Sequence, residues 1–87
     1  MQDEMLKIIS RIDHLIRIKG TGRPKDLADR LGVSRRSVFF YLNFMKERGA
    51  PIKYCFDRKS YYYDEEGSFI VTIAFLKKEE VTQKNIA

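Results

Sequence analysis

Between Asp3 and Lys19 the apolar residues Met5, Ile8, Ile9, Ile12, Leu15 and Ile16 recur at three- and four-residue steps. That is the period of one face of an α-helix, so the spacing predicts a first helix here. Asp3 and Glu4 near its start, with Arg17 and Lys19 near its end, match the sign of the helix dipole. Gly20-Thr21-Gly22 reads as the stop and turn. Pro24 opens a second, short helix, since its missing N–H would be unpaired at a first helical position anyway. Leu27, Ala28 and Leu31 form its inner face before Gly32. Arg23 falls at its N-cap and is a poor one, so this helix must rely on tertiary packing. A third helix is predicted from Arg35 to Arg48, capped by Ser34 and ended by Gly49 and Pro51. Val38, Tyr41, Leu42 and Met45 share one face. Arg36, Phe40, Asn43, Phe44 and Glu47 share the other, so two aromatics project outward.

After Pro51 the period changes to two. Ile52, Tyr54 and Phe56 alternate with Lys53, Cys55 and Asp57; Asp57-Arg58-Lys59-Ser60 interrupts, and Tyr61-Tyr62-Tyr63 resumes. This predicts a hairpin with a basic tip. Asp64 to Gly67 is a second polar turn, and a third strand is expected over Phe69–Leu76, apolar on both faces. Residues 77–87 show no period and are expected to form a loose tail. The expected class is therefore α+β, with one domain over residues 1–76.

The length of 87 residues sets the scale: one modest core, and little room for a cleft walled off from water. A single Cys55 excludes an internal disulfide, and with His14 as the sole histidine no Cys/His zinc site can be assembled. No cofactor or metal is expected. Ser10, Arg11, Asp13, His14 and Arg17 interrupt the most apolar stretch, so no membrane span is predicted. Asp3 and Glu4 stand where a secretory leader would be basic, and the expected setting is cytoplasmic.

Charge adds a location. The net +5 of the chain is carried entirely by its middle third. There Arg35, Arg36, Lys46, Arg48, Lys53, Arg58 and Lys59 face only Glu47 and Asp57. A patch of this kind suits a polyanion; a solvated charged surface is the plain alternative.

Helix, turn, helix and hairpin is the element order of a winged helix-turn-helix. Ala28 is small where the two helices would cross, and Gly32 permits the tight turn. Val33 fills the space beneath that turn, and Val38 locks the second helix onto the first. The segment from Pro24 to Leu42 resembles the winged-helix domains of DeoR-like regulators. It is also similar to the domains preceding WYL effector domains and to the N-terminal domain of biotin repressors. The resemblance continues through Gly49-Ala-Pro-Ile-Lys-Tyr and Tyr61-Tyr-Tyr, and spans Leu6 to Tyr63.

That resemblance implies a transcription regulator binding double-stranded DNA, with no enzymatic activity. Ser34, Arg35, Arg36 and Ser37 take the helix N-terminal positions that meet phosphate and base edges. Phe39, Phe40 and Asn43 take the groove-facing positions, and Arg58 and Lys59 the wing tip. Two departures stand out. Relatives carry Arg or Lys near the positions of Phe39 and Phe40, and no counterpart of an effector domain is expected beyond the wing. A signal would then arrive through a partner or through the protein's own abundance.

A protein-interaction module is the alternative, with Phe39, Phe40 and Phe44 as its contact patch. A homodimer or another protein partner would dock through Phe40 and Phe44. An enzyme is the least supported class. Glu65-Glu66 and Glu79-Glu80 are adjacent pairs in turn or tail, His14 lacks a companion, and no phosphate-cradling loop is present. Tyr61 and Tyr63 are expected in the core and Tyr62 on the exposed side.

Overall fold

A computed structural model describes residues 2–70. Five elements follow in order: α1 (Gln2–Arg17), α2 (Pro24–Leu31), α3 (Arg35–Glu47), β1 (Ile52–Cys55) and β2 (Ser60–Tyr63). The protein is thus α+β, three helices and an antiparallel hairpin, a layout compatible with a winged helix. Among the described residues no helix is long and apolar enough to cross a membrane.

The apolar stripe of α1 does what its period predicts. Ile9, Ile12 and Ile16 are buried, while Ser10, Arg11, His14 and Arg17 face solvent. The helix ends two residues earlier than the sequence suggests. Lys19 adopts φ 55°, and the amides of Lys19 and Gly20 fold back to the carbonyls of Ile16 (3.0 Å) and Leu15 (2.8 Å). Lys19, not Gly20, therefore takes the left-handed position that closes the helix.

At α2 the poor cap is remedied from inside the helix. The Asp26 carboxylate accepts a 2.9 Å hydrogen bond from the Arg23 amide, satisfying a donor that Arg23 itself leaves open. Gly22 is required here: its φ is +74°, and a Cβ would lie 2.7 Å from Cβ of Asp26. Gly32 closes α2 at φ 70°, with the Val33 amide bonded back to Ala28 at 3.0 Å. A Cβ at Gly32 would meet nothing, so the left-handed backbone alone makes glycine the natural choice.

Packing then joins two pairs, α2 against α3 and α1 against β2. Leu27, Ala28 and Leu31 meet Val38, Leu42 and Met45 in the core, which Ile52 and Tyr61 extend into the hairpin. The hairpin register sets Ile52 opposite Tyr63, Tyr54 opposite Tyr61 and Cys55 opposite Ser60. β1 stops at Cys55, so Phe56 does not continue the inward alternation of Ile52 and Tyr54; it is 82% exposed in the turn. Ser60, read from sequence as a turn residue, is instead the buried first residue of β2.

Two polar knots hold these layers. Thr21, fully buried, accepts from the Tyr61 amide at 2.9 Å and lies 3.1 Å from the Ser60 hydroxyl. Asp13, 5% exposed, accepts from the Tyr63 hydroxyl (2.7 Å), the Phe69 amide (2.8 Å) and Arg17 Nε (3.0 Å). No buried side-chain nitrogen or oxygen among the described residues lacks a partner. Phe69 and Ile70 belong to no strand. The rest of the strand expected to Leu76, and the tail 77–87, lie outside the described residues.

Candidate nucleic-acid interface

Ser34 begins α3 as the sequence predicts. Its Oγ accepts from the Ser37 amide at 3.1 Å, and the two hydroxyls are 3.1 Å apart. This pairing fixes the first turn and leaves Arg35 and Arg36 exposed. Neither arginine forms an ion pair among the described residues. Burying Val38, Leu42 and Met45 turns the other side of α3 outward. That side carries Phe39 (43% exposed), Phe40 (59%) and Asn43. Phe40 is braced edge-on by Tyr41, ring centroids 5.6 Å apart.

Phe44 departs from the expected outward pair with Phe40. It is half-buried against the core, and the Arg48 guanidinium carbon stands 3.5 Å from its ring centroid. Arg48 Nη1 also donates to the Phe44 carbonyl at 3.1 Å. The ring is therefore enclosed on one side by the core and on the other by a cation. It lies three residues beyond Tyr41, which is also half-buried against the core.

Arg58 and Lys59 occupy the β1–β2 turn, both exposed. Lys59 adopts φ 52°, a conformation that costs a non-glycine residue energy. The hairpin is tied to the α3 side through Tyr61. Burial raises the Tyr61 phenol above its ordinary pKa, with a further push from Tyr54, while the nearby positive charge of Arg35 acts in the opposite direction. Lys53 pairs with Asp64 at 3.1 Å, which raises its pKa and removes it from the free cations.

Sequence reasoning missed an aromatic cluster on this side. Tyr54 stands edge-on to both Phe56 (5.1 Å between centroids) and Tyr61 (4.9 Å). Of the three rings only Tyr61 is expected in the core, and it is buried there; Phe56 is exposed because β1 ends at Cys55. Tyr62, expected on the exposed side, is half-buried, as is Cys55, a free thiol. Among the described residues no group of three or more His, Cys, Asp or Glu is placed to hold a metal ion. No family model matches the chain, and comparisons with curated proteins and with solved structures give no match.

Proposed function

We propose that this protein is a winged helix-turn-helix that binds double-stranded DNA and regulates transcription. In this reading α3 enters the major groove by its N-terminal end, and the β1–β2 turn meets the flanking backbone. One observation carries it. The α2–α3 wedge buries one side of α3 and leaves Arg35, Arg36, Phe39, Phe40 and Asn43 outward, the arginines unpaired among the described residues.

The chemistry follows from residue types. An α-helix fits the major groove, which is about 12 Å wide. Arg36 pairs with guanine edges, Asn43 with adenine, and the phenylalanines touch thymine methyl groups. Arg35 at the helix start, and Arg58 and Lys59 in the turn, neutralise phosphates. A homodimer would read two half-sites about 34 Å apart.

The test is selection from a pool of random duplexes at two salt concentrations, followed by sequencing. Neutralising about three phosphates per monomer, through Arg35, Arg58 and Lys59, gives a slope of log K against log[salt] of about −2.7. Enrichment of a motif with that slope is expected; salt-independent binding, or none to any duplex, overturns the reading.

The exposure of Phe39 and Phe40 favours a second reading, a protein-interaction surface on the same scaffold. Phe40→Glu separates the two. Loss of a complex by size exclusion with DNA affinity retained assigns these rings to a protein partner or a second copy.

A further inference from the structure

The cluster of Tyr54, Phe56 and Tyr61 walls an open cavity of about 510 Å³, completed by Arg23, Pro24 and Lys59. Its walls are aromatic rings and a proline, and its rim is cationic. No carboxylate lines it, and neither Arg23 nor Lys59 forms an ion pair among the described residues.

Its floor is rigid. Tyr61 is buried, and its amide is bonded to the buried Thr21 hydroxyl. Tyr54 is held edge-on against Tyr61 at an interplanar angle of 69°. Against this fixed base Phe56 stands 82% exposed, the most exposed large apolar side chain among the described residues. Beside it Lys59 keeps its left-handed backbone. An uncovered ring, a rigid aromatic floor and a strained cation at the rim point to a ligand that is flat, apolar on its faces and negatively charged at its edge.

We propose that this slot receives an unpaired nucleobase, so that the protein prefers a duplex carrying one extrahelical nucleotide over a fully paired duplex. The inference rests on the duplex-binding reading above and adds a base-stacking contact beside the turn, with Lys59 shared between the two. The base stacks on Phe56 and Tyr54, and Arg23 and Lys59 meet the phosphates on either side. Stacking on aromatic rings accepts any base, so the preference concerns an unpaired position, not its identity.

The experiment compares three labelled duplexes of one sequence with the full chain: fully paired, with one unpaired adenine, and with an abasic sugar at that same bulge. The adenine bulge is expected to bind about tenfold more tightly than the other two. Phe56→Ala removes that preference and leaves affinity for the paired duplex unchanged, because the ring is exposed and its loss opens no core. Phe56→Leu, which keeps apolar bulk without a π-face, also loses the preference and guards against any effect of Phe56→Ala on folding.

Equal binding of the adenine and abasic bulges overturns the proposal, since the protein then reads bulge flexibility and not the base. Retention of the preference by both Phe56 variants overturns it too. Binding to the paired duplex without any bulge preference removes the slot and leaves the duplex reading standing. Failure to bind all three removes both. Binding of free adenosine monophosphate without bulge preference also overturns the proposal and makes the slot a small-molecule site.

Discussion

The Tyr63 hydroxyl donates a 2.7 Å hydrogen bond to Oδ1 of Asp13, across fifty positions of sequence. The same oxygen accepts the Phe69 amide at 2.8 Å, and the second oxygen pairs with Arg17. One buried carboxylate thus ties α1 to β2 and to the chain that leaves the hairpin. Tyr63→Phe keeps the ring and removes the donor; a loss of about 1–2 kcal/mol is expected in urea unfolding. Asp13→Ala costs more, because it strands both a hydroxyl and an amide. A double-mutant cycle should show coupling between the two, and additive effects would contradict the direct bond.

Alkaline pH tests the same hydroxyl from another side. Burial, then the hydrogen bond to Asp13, raises the Tyr63 pKa, and burial raises that of Tyr61. Below the ordinary phenol pKa both residues are protonated in folded and unfolded chains alike, and their contribution is fully present. Above it the unfolded chain releases its protons first, so stability falls as pH rises. Unfolding measured from about pH 9 to about pH 11 should show this decline, shallower in Tyr63→Phe. Lys53 acts in the same direction through Asp64, but that exposed pair is screened by added salt.

Thr21 supplies the other knot. Thr21→Val preserves shape but leaves the Tyr61 amide without its acceptor in a buried site. A loss of about 1–3 kcal/mol is expected, against under about 1 kcal/mol for Thr21→Ser, which keeps the hydroxyl. Equal losses would mean that the methyl group, and not the hydrogen bond, matters here.

Lys59 separates stability from function. Its left-handed backbone favours glycine, so Lys59→Gly should change unfolding free energy by no more than about 1 kcal/mol. The same variant loses a cation at the turn, and the salt slope of duplex binding should shrink by about 1. A variant that binds as well as wild type at low salt would remove Lys59 from the interface.

Arg36 is expected to behave differently. Arg36→Ala should relax sequence choice at one base pair by about 1–3 kcal/mol. Lys59→Ala should instead weaken binding evenly across sequences. Parallel selections with the two variants distinguish base reading from phosphate contact.

Local signals carried much of this fold into the sequence. Pro24 and Gly32 bound α2, Ser34 caps α3, and the stripe of Ile9, Ile12 and Ile16 selects the buried side of α1. What escaped depends on partners far along the chain. Asp13 sits beside Ile12 and reads as an interruption of the apolar stripe; only Tyr63 and Phe69 make its burial tolerable. Ser60 reads as a turn residue until Thr21 is placed against it. Phe44 was assigned outward from its angle on the helix, whereas the core on one side and the Arg48 guanidinium on the other enclose it. The exposure of Phe56 was not legible either, because alternation predicts facing only while the strand continues, and β1 ends at Cys55. In the candidate interface the exposed arginines were legible from spacing, and the aromatic slot was not.

A hairpin of two four-residue strands would be marginal in water by itself. The Thr21–Ser60 contact binds it to the loop between α1 and α2, thirty-nine positions away. That clasp merges the hairpin with the helices into one cooperative unit, so the Tyr61 amide should exchange with solvent deuterium only when the entire domain opens. The hairpin strands would then inherit the lifetime of the core, while the Arg58 and Lys59 amides in the turn exchange freely.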